Sequence, residues 1–534
     1  MHTTTAPTRP IGTPNTTMAA SILWADDEIE LLKPHVLFLE QKGYAVKTVN
    51  NGLDAVDAVD KEEFDIVFLD ENMPGLSGLE TLTRIKAASP HTPVVMITKS
   101  EEESIMEEAI GSKISDYLIK PVNPNQILLA LKKHLEGSRL VSEKTTSSYQ
   151  QEFGKLSMRL GDRLGTTDWM QLYDELVRWE LDLSGNPDQG MTEILRSQWA
   201  EANDLFSRFV EKNYIDWVNN KGNDVPMQSH QVFKNKIAPL IDEKQPPLFL
   251  VLIDNLRLDQ WRTLEPVITE LYKVESQEQF YAILPTATQY ARNALFAGMM
   301  PGEIQKRFPG KWLNEDDEGS KNAFEEDFMN EQLKNLGKRV KTSYHKITNI
   351  AAGKKLAETV GNLMENPFNA IVYNFVDMLS HARTEMEVIR ELAEDEAAYR
   401  SITLSWFRHS PLLDILRTIA EKGGRVVITT DHGTVRVTQP SKVVGDRNTN
   451  TNLRYKNGRN LTYEAKDVLA IKEPAQAFLP RMNVSSSFIF AKKDLYFVYP
   501  NNYNHFVNFY RNTFQHGGIS MEEMLVPIAY LKPR

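Results

Sequence analysis

The chain has 534 residues, no cysteine and only 11 histidines. The first absence excludes disulfides, thiolate nucleophiles and Cys-ligated zinc, so any metal must be held by N and O ligands. No apolar run approaches the ~20 residues needed to span a bilayer, and no charged-then-apolar signal peptide opens the chain. These absences predict a cytoplasmic protein without membrane insertion. Positive charge is also short: 61 Lys+Arg against 72 Asp+Glu give a net charge of −11. That balance argues against duplex DNA as a partner and leaves room for a local basic pocket.

What is present is enough for several cores. An apolar content of 41% over this length predicts three or four domains at about 150 residues each. The opening MHTTTAPTRPIGTPNTT is rich in Thr and Pro without apolar periodicity. Residues 1–20 are therefore expected to be a disordered leader or an expression remnant, with Met18 as the natural start.

From 21 to 136, five short apolar runs (SILWADD, YAVKTVN, FDIVFLD, PVVMITK, SDYLIKP) alternate with helix-like stretches such as Ala55 to Glu62 and Leu79 to Ala88. This alternation predicts a doubly wound parallel sheet. The runs end on Asp26 and Asp27, Asp70, Thr98, and Lys120 before Pro121. In such a sheet these ends meet at one crevice, and three crowded carboxylates require a cation, with oxygen donors favouring magnesium. DD, LDENMPG, the MIT threonine and DYLIKP in this order resemble the receiver domain of two-component systems. The resemblance implies Asp70 as phosphoacceptor, Asp26, Asp27 and Asp70 around Mg²⁺, Thr98 and Tyr117 as a switch pair, and Lys120 as the phosphoryl contact. It further implies a sensor histidine kinase as phosphodonor and a homodimer on phosphorylation. Lys99 departs from the pattern, where receivers usually carry a small residue, and bears on access to the pocket.

Residues 137–235 lack strand runs. Trp169, Leu172, Tyr173, Leu176 and Trp179 form one helical stripe, and Leu195, Trp199, Ala202, Phe206 and Phe209 another, with Ser184 to Asp188 as a breaker. We read a helical-bundle connector that carries no chemistry.

A second α/β pattern fills 236–534. PLFLVLIDN, QFYAILPTAT, AIVYNFVD and RVVITTDHG read as strands ending at Asp254, Thr286 and Thr288, Asp377, and Asp431 with His432. Strands of one sheet place such residues on a common carboxyl edge, where α/β enzymes build their sites. His381 follows Asp377 at a spacing that puts both on one helix face, and His516 arrives in QHGGISMEEM, where two glycines permit close backbone approach. Imidazole beside carboxylate is the donor mixture that zinc prefers, and six such ligands make two sets of three with positions left open for substrate. PTAT offers both Thr286 and Thr288 as a hydroxyl. Thr288 opens the helix-like QYARNALFAG, whose N-terminus favours phosphate oxygens. A threonine hydroxyl is a poor nucleophile unless a metal favours its alkoxide.

DMLSH, TTDHG, HGGISMEEMLVP and the threonine with Gly298 ten positions on resemble the alkaline phosphatase superfamily over Pro247 to Pro527. Residue by residue, the resemblance implies Thr288 as nucleophile. One zinc would lie on Asp254, Asp431, His432 and the Thr288 oxygen, and a second on Asp377, His381 and His516. Threonine argues against sulfatase activity. With the receiver in front, the whole chain resembles PorX-type response regulators with a PglZ-type output domain. That implies a zinc-dependent phosphodiesterase acting on cyclic or linear oligonucleotides and linked to type IX secretion, with secretion or sigma-factor regulators as partners. For phosphate contacts the residues offer Arg257, Arg292 and His345, together with the basic run from Arg447 through Arg454 to Arg459. The rival expectation is an idle phosphatase-like scaffold for secretion or transcription partners. Such a scaffold should have lost ligands, yet all the positions are filled.

Overall fold

Five short strands, the central three almost wholly buried, build the first sheet. In the computed structural model, which describes residues 20–534 except 90–91, 99–113, 185–188, 316, 378, 380–394, 448 and 482–484, they are β1 (Ser21–Ala25), β2 (Ala45–Val49), β3 (Ile66–Asp70), β4 (Val94–Thr98) and β5 (Asp116–Ile119). Helices α1 (Lys33–Gln41), α2 (Gly52–Lys61), α3 (Gly78–Ala88) and α4 (Pro124–Leu131) accompany them. The order is β2-β1-β3-β4-β5, all parallel. Leu23, Val67, Leu69 and Met96 face one core, while Ile22, Trp24, Phe68 and Ile97 face another on the opposite side. That is the period-two signature of a strand covered on both faces. α3 starts where it does because Ser77 and Glu80 cap each other reciprocally.

The chain divides into two compact units, Met1–Ser148 and Tyr149–Arg534. After α5 (Gly137–Gly161), the second unit contains α6 (Thr166–Leu183) and α7 (Gln189–Val218). α6 buries Trp169, Leu172, Tyr173, Leu176 and Trp179, the whole aromatic stripe. Trp169 packs edge-on against Phe206 of α7 with ring centroids 5.3 Å apart.

The sheet of this unit comprises β6 (Leu248–Ile253), β7 (Tyr272–Tyr281), β8 (Thr342–Ile347), β9 (Phe368–Tyr373), β10 (Arg425–Thr429) and a late strand, β18 (Leu525–Pro533). Its order is β7-β18-β10-β6-β9-β8. β10, β6, β9 and β8 run parallel, and β18 lies antiparallel to both β7 and β10. β7 therefore points the same way as the parallel set, and all the C-terminal ends meet on one edge. β18, running backwards, starts on that edge and delivers the turn before it there. β6 is entirely buried, consistent with an unbroken apolar run in a sheet covered on both sides.

Helices α8 (Leu258–Ile268), α9 (Thr288–Ala297), α10 (Glu325–Asn335), α11 (Ile350–Thr359), α12 (Glu396–Arg408) and α13 (Pro411–Glu421) connect the sheet. Small strand pairs β11 (Val435–Arg436) with β17 (Phe514–Gln515), and β12 (Gln439–Lys442) with β16 (Leu495–Val498), form a lobe with the three-stranded sheet of β13 (Tyr455–Gly458), β15 (Ser487–Ala491) and β14 (Val468–Ile471). The β11–β17 pairing places Gln515 opposite Val435, so His516 arrives just beyond the Asp431–His432 turn. Trp406 stacks on Phe375 at 3.7 Å and Phe407 is buried, which makes both packing groups.

Candidate phosphoacceptor and metal sites

In the first unit the carboxyl ends of β1 and β3 bring Asp26, Asp27 and Asp70 together, with one oxygen of each within 4.8 Å of the others. Lys120, just past β5, places its Nζ 2.9 Å from Asp26 and 2.8 Å from Asp70. Burial raises the Asp70 carboxyl to about 6; Lys120 pulls it down, and the neighbouring Asp26 and Asp27 add to the rise. Burial works against the Lys120 ammonium, yet its hydrogen bonds to Asp70 and Asp26 leave its pKa above the ordinary value. The Thr98 hydroxyl ends β4 and donates to Glu71. Tyr117 is 41% exposed on β5. An all-oxygen set with more negative than positive charge fits a small hard cation. Lys99 lies outside the described residues.

In the second unit, register aligns the strand ends: Leu252 of β6 pairs with Thr429 and Val372, and Asp254 N–H donates to Tyr373 O at 2.9 Å. Asp254, Asp431 and His432 therefore converge, with one ligand atom of each within 4.8 Å of the others and all three side chains fully buried. Thr288, the first residue of α9, points its Oγ1 at them, 3.1 Å from His432 Nε2 and 3.3 Å from Asp254 Oδ1. His432 Nδ1 meets Gly433 O at 3.0 Å, which leaves Nε2 as the free lone pair facing the site. His516 Nε2 lies 3.7 Å from Asp377 Oδ1, and its ring stacks on His432 at 4.4 Å, so the second set adjoins the first. His381 lies outside the described residues.

The electrostatics are those of a site short of positive charge. Burial pushes the Asp254 carboxyl up to about 8, Arg292 opposes the shift, and Asp431 and Asp377 reinforce it. Burial also raises Asp431 and lowers the imidazolium affinity of His432. Asp431 Oδ2 is buried and receives no hydrogen bond among the described residues. A carboxylate oxygen without a donor, beside a neutral imidazole and two further carboxylates, suits a borderline divalent cation.

Two residues the sequence left in balance separate here. Thr286 is fully buried, its Oγ1 donating to Gly518 O at 2.9 Å and accepting from Gly517 N–H at 3.1 Å. Its hydroxyl holds the His516 turn, while that of Thr288 faces the carboxylates. Gly517 takes φ 122°, and a Cβ there would lie 2.5 Å from the Tyr455 ring, so only glycine fits this approach.

Three of the arginines offered as phosphate contacts are engaged by buried carboxylates. Arg292, one helical turn after Thr288, is 1% exposed and donates to Asp254 Oδ2 at 2.8 Å and to Glu325 at 2.5 Å. Arg257 is buried against Asp259, and Arg454 forms a two-pronged pair with Glu523. In these pairs the three guanidiniums are buried counter-ions of Asp254 and Glu325, Asp259, and Glu523. His345 is half-buried on β8, its imidazolium disfavoured by burial, and its Nε2 has no hydrogen-bond partner among the described residues. Arg447 is exposed. Asn255, at φ 63°, escaped the sequence reading, yet its Nδ2 donates to Asp377 and its N–H to Asp431. An Asn directly after a strand-end Asp was the available signal.

A five-stranded receiver sheet followed by an α/β domain with Asp, His and Thr on its carboxyl edge defines a class: a response regulator whose output domain is alkaline phosphatase-like. The family model described as the BREX system PglZ alkaline phosphatase-like domain matches residues 232–531, more than half of the chain. The chain belongs to that family. The PorX response regulator linker domain matches 139–218 and the response regulator receiver domain 22–132, giving the PorX-type order of receiver, linker and PglZ output. Receiver and alkaline phosphatase-like domains generally bind divalent metals.

Among curated proteins, the chain is similar to the transcriptional regulatory protein ZraR of Klebsiella oxytoca, at 35% identity over 133 residues, 25% of this chain and 30% of that protein. It is also similar to YkoG of Bacillus subtilis, an uncharacterized transcriptional regulatory protein, at 29% over 208 residues, 36% of this chain and 88% of that one. The chain spans less than a third of the length of ZraR and of the alginate regulator AlgB of Pseudomonas syringae. Similar solved structures include the chemotaxis protein CheY4 of Vibrio cholerae, at 28% identity, 22% of this chain, 99% of that chain and TM-score 0.21. Another is DrrB of Thermotoga maritima, at 31%, 23%, 54% and 0.21. Among the described residues no helix is long and apolar enough to cross a membrane.

Proposed function

We propose that this response regulator is a zinc-dependent phosphodiesterase that cleaves short cyclic or linear oligonucleotides under the control of phosphorylation at Asp70. A cytoplasmic homodimer formed on phosphorylation and a role in type IX secretion belong to the same reading. The observation that carries it is the Thr288 hydroxyl held 3.1 Å from His432 and 3.3 Å from Asp254, inside a buried Asp254–Asp431–His432 cluster.

Asp254, Asp431 and His432 would hold one ion, and Asp377 and His516 would contribute to a second with His381. Bound divalent ions supply Lewis acidity and lower the pKa of a coordinated hydroxyl. The chain's own residues do the rest. The helix N-terminus at Thr288 presents backbone N–H groups to phosphate oxygens. His432, tied through Nδ1, keeps Nε2 unprotonated beside Thr288 Oγ1. In the reaction Thr288 Oγ1 forms a bond to phosphorus as one ester P–O bond breaks, the hydroxyl's proton leaving with the alkoxide as an alcohol, and water later cleaves the threonine phosphodiester to release the phosphate monoester and restore the Thr288 hydroxyl. In the receiver, Lys120 bridges Asp26 and Asp70 and is placed to meet the incoming phosphoryl oxygens.

Chromogenic mono- and diester assays on zinc-loaded protein test the reading. Diester cleavage is expected to fall by about 10³-fold or more in Thr288→Val with folding unchanged. About two equivalents of zinc should be bound and reduced in Asp431→Ala. A metal-free protein with full activity, or a Thr288→Val variant with wild-type turnover, overturns it. Acetyl phosphate with magnesium should label the wild type and leave Asp70→Ala unlabelled.

A further inference from the structure

The linker helices supply no candidate ligand of their own, yet they reach the Asp254 loop and the His516 turn, two of the segments that deliver candidate metal ligands. The first grip runs from α6. Glu180 and Ser184 accept from Arg400, the latter at 2.9 Å, and Arg400 donates to Asp259 at 3.1 Å. Asp259 in turn holds Arg257, whose Nε lies 2.8 Å away. Arg257 closes the loop that starts at Asp254, and its Cγ lies 3.5 Å from where a Cβ on Gly433 would stand. Gly433 is the residue whose carbonyl orients His432. That loop is also pinned to the DHG turn by Leu256 N–H donating to Thr430 Oγ1 at 3.0 Å.

The second grip runs from α7. Asn203 donates to both carboxylate oxygens of Glu522, at 3.0 and 3.1 Å, and accepts from Met521 N–H at 2.8 Å. Ser207, one helical turn on, gives its hydroxyl mainly to Asn203 O at 2.7 Å and stands 3.4 Å from Ile519 O. Residues 519–522 continue directly from the His516-Gly517-Gly518 segment. Between the two grips lies a cavity of about 560 Å³ bordered by Tyr173, Trp199, Arg400 and Glu522. Apolar packing is thus interrupted here, and the polar contacts span the gap.

We propose that Glu180 and Asn203 are positioning residues for the output-domain metal site, α6 setting the Asp254 and His432 loops and α7 setting the His516 turn. This inference rests on the metal-site reading above. Polar groups that orient metal ligands change metal affinity by about 10–100-fold when removed, and these two do so from an element that stands between receiver and output in the sequence. A movement of either helix therefore has a direct route to the ligand geometry.

The test is zinc affinity of the full-length protein, by competition with a chromogenic chelator, the output-site share being the binding lost in Asp431→Ala. Glu180→Gln keeps shape and removes charge, and Asn203→Ala removes the second grip. Each is expected to weaken that share about tenfold or more. Gln198→Ala serves as control: it is buried between α5 and α7, bonded to Tyr149 and Ser157, and reaches neither loop. Its zinc affinity should stay within about twofold of wild type although its unfolding temperature falls. Wild-type affinity in both Glu180→Gln and Asn203→Ala, or an equal loss in Gln198→Ala, overturns the inference and leaves the metal site standing. Absence of zinc binding in the wild type overturns the metal-site reading itself.

Discussion

Arg292 offsets part of the buried carboxylate charge in the output-domain cluster, and replacing it tests how far the fold depends on that balance. Its guanidinium donates to Asp254 at 2.8 Å and Glu325 at 2.5 Å and lies 3.9 Å from Asp431, all fully buried. Arg292→Met keeps most of the apolar stem and removes a cation shared by three carboxylates, leaving Lys346, 3.2 Å from Glu325, to serve that one alone. Breaking a buried ion pair from one side costs about 3–5 kcal/mol. A divalent cation at a thousand times its Kd contributes about 4 kcal/mol, and in the variant it also supplies the missing positive charge. Calorimetry of chelator-treated protein should show the zinc-responsive transition about 5 °C or more lower in Arg292→Met. Saturating zinc should recover most of that loss, shifting the variant further than the wild type. A chelated variant with the wild-type midpoint, or equal zinc shifts in both proteins, refutes the reasoning.

Thr286→Val strands Gly517 N–H and Gly518 O and should cost about 1–3 kcal/mol in urea unfolding with weakened zinc binding; an unchanged unfolding midpoint would contradict that role. Gly433→Ala places a Cβ 2.0 Å from Glu522 O, so the DHG turn must move, and purified protein should have lost zinc from the output site. Full retention of metal would show that the turn yields. His230 is held to about 4 by burial, against an ordinary 6.5. Above pH 6.5 neither folded nor unfolded chain protonates it. Between 6.5 and 4 only the unfolded chain does, so stability falls by about 3 kcal/mol, and below 4 the loss levels off. His230→Phe should flatten that part of the stability–pH curve, and an unaltered slope between pH 7 and 4 counts against the burial.

The receiver was legible because its strands are short apolar runs, four of the five ending on a candidate residue, a purely local signal. The same logic found Asp254, Asp431 and His432. It did not separate Thr286 from Thr288, since that distinction depends on Gly517 and Gly518, some 230 positions away. That Arg257, Arg292 and Arg454 pair with buried carboxylates was not legible for a related reason. An arginine near an acidic edge looks the same in sequence whether it faces solvent or a buried carboxylate, and Asp259, Glu325 and Glu523 decide the matter only in three dimensions. β18 was hidden by Pro527, which has no N–H to give a central ladder; its carbonyl instead accepts from the Thr429 hydroxyl at 2.9 Å. Asn203 and Glu180 carried no sequence signal at all.

The place of β18 has a consequence for synthesis. β7, which leads to Thr288, joins the sheet only through β18, and β18 also anchors the segment bearing His516. Chains emerge from the ribosome N-terminus first, so every ligand except the last can be translated while hydroxyl and final imidazole remain unconnected. β18 is translated after every candidate ligand, so the Thr288 hydroxyl and the His516 imidazole cannot be brought to one edge until β18 has joined the sheet.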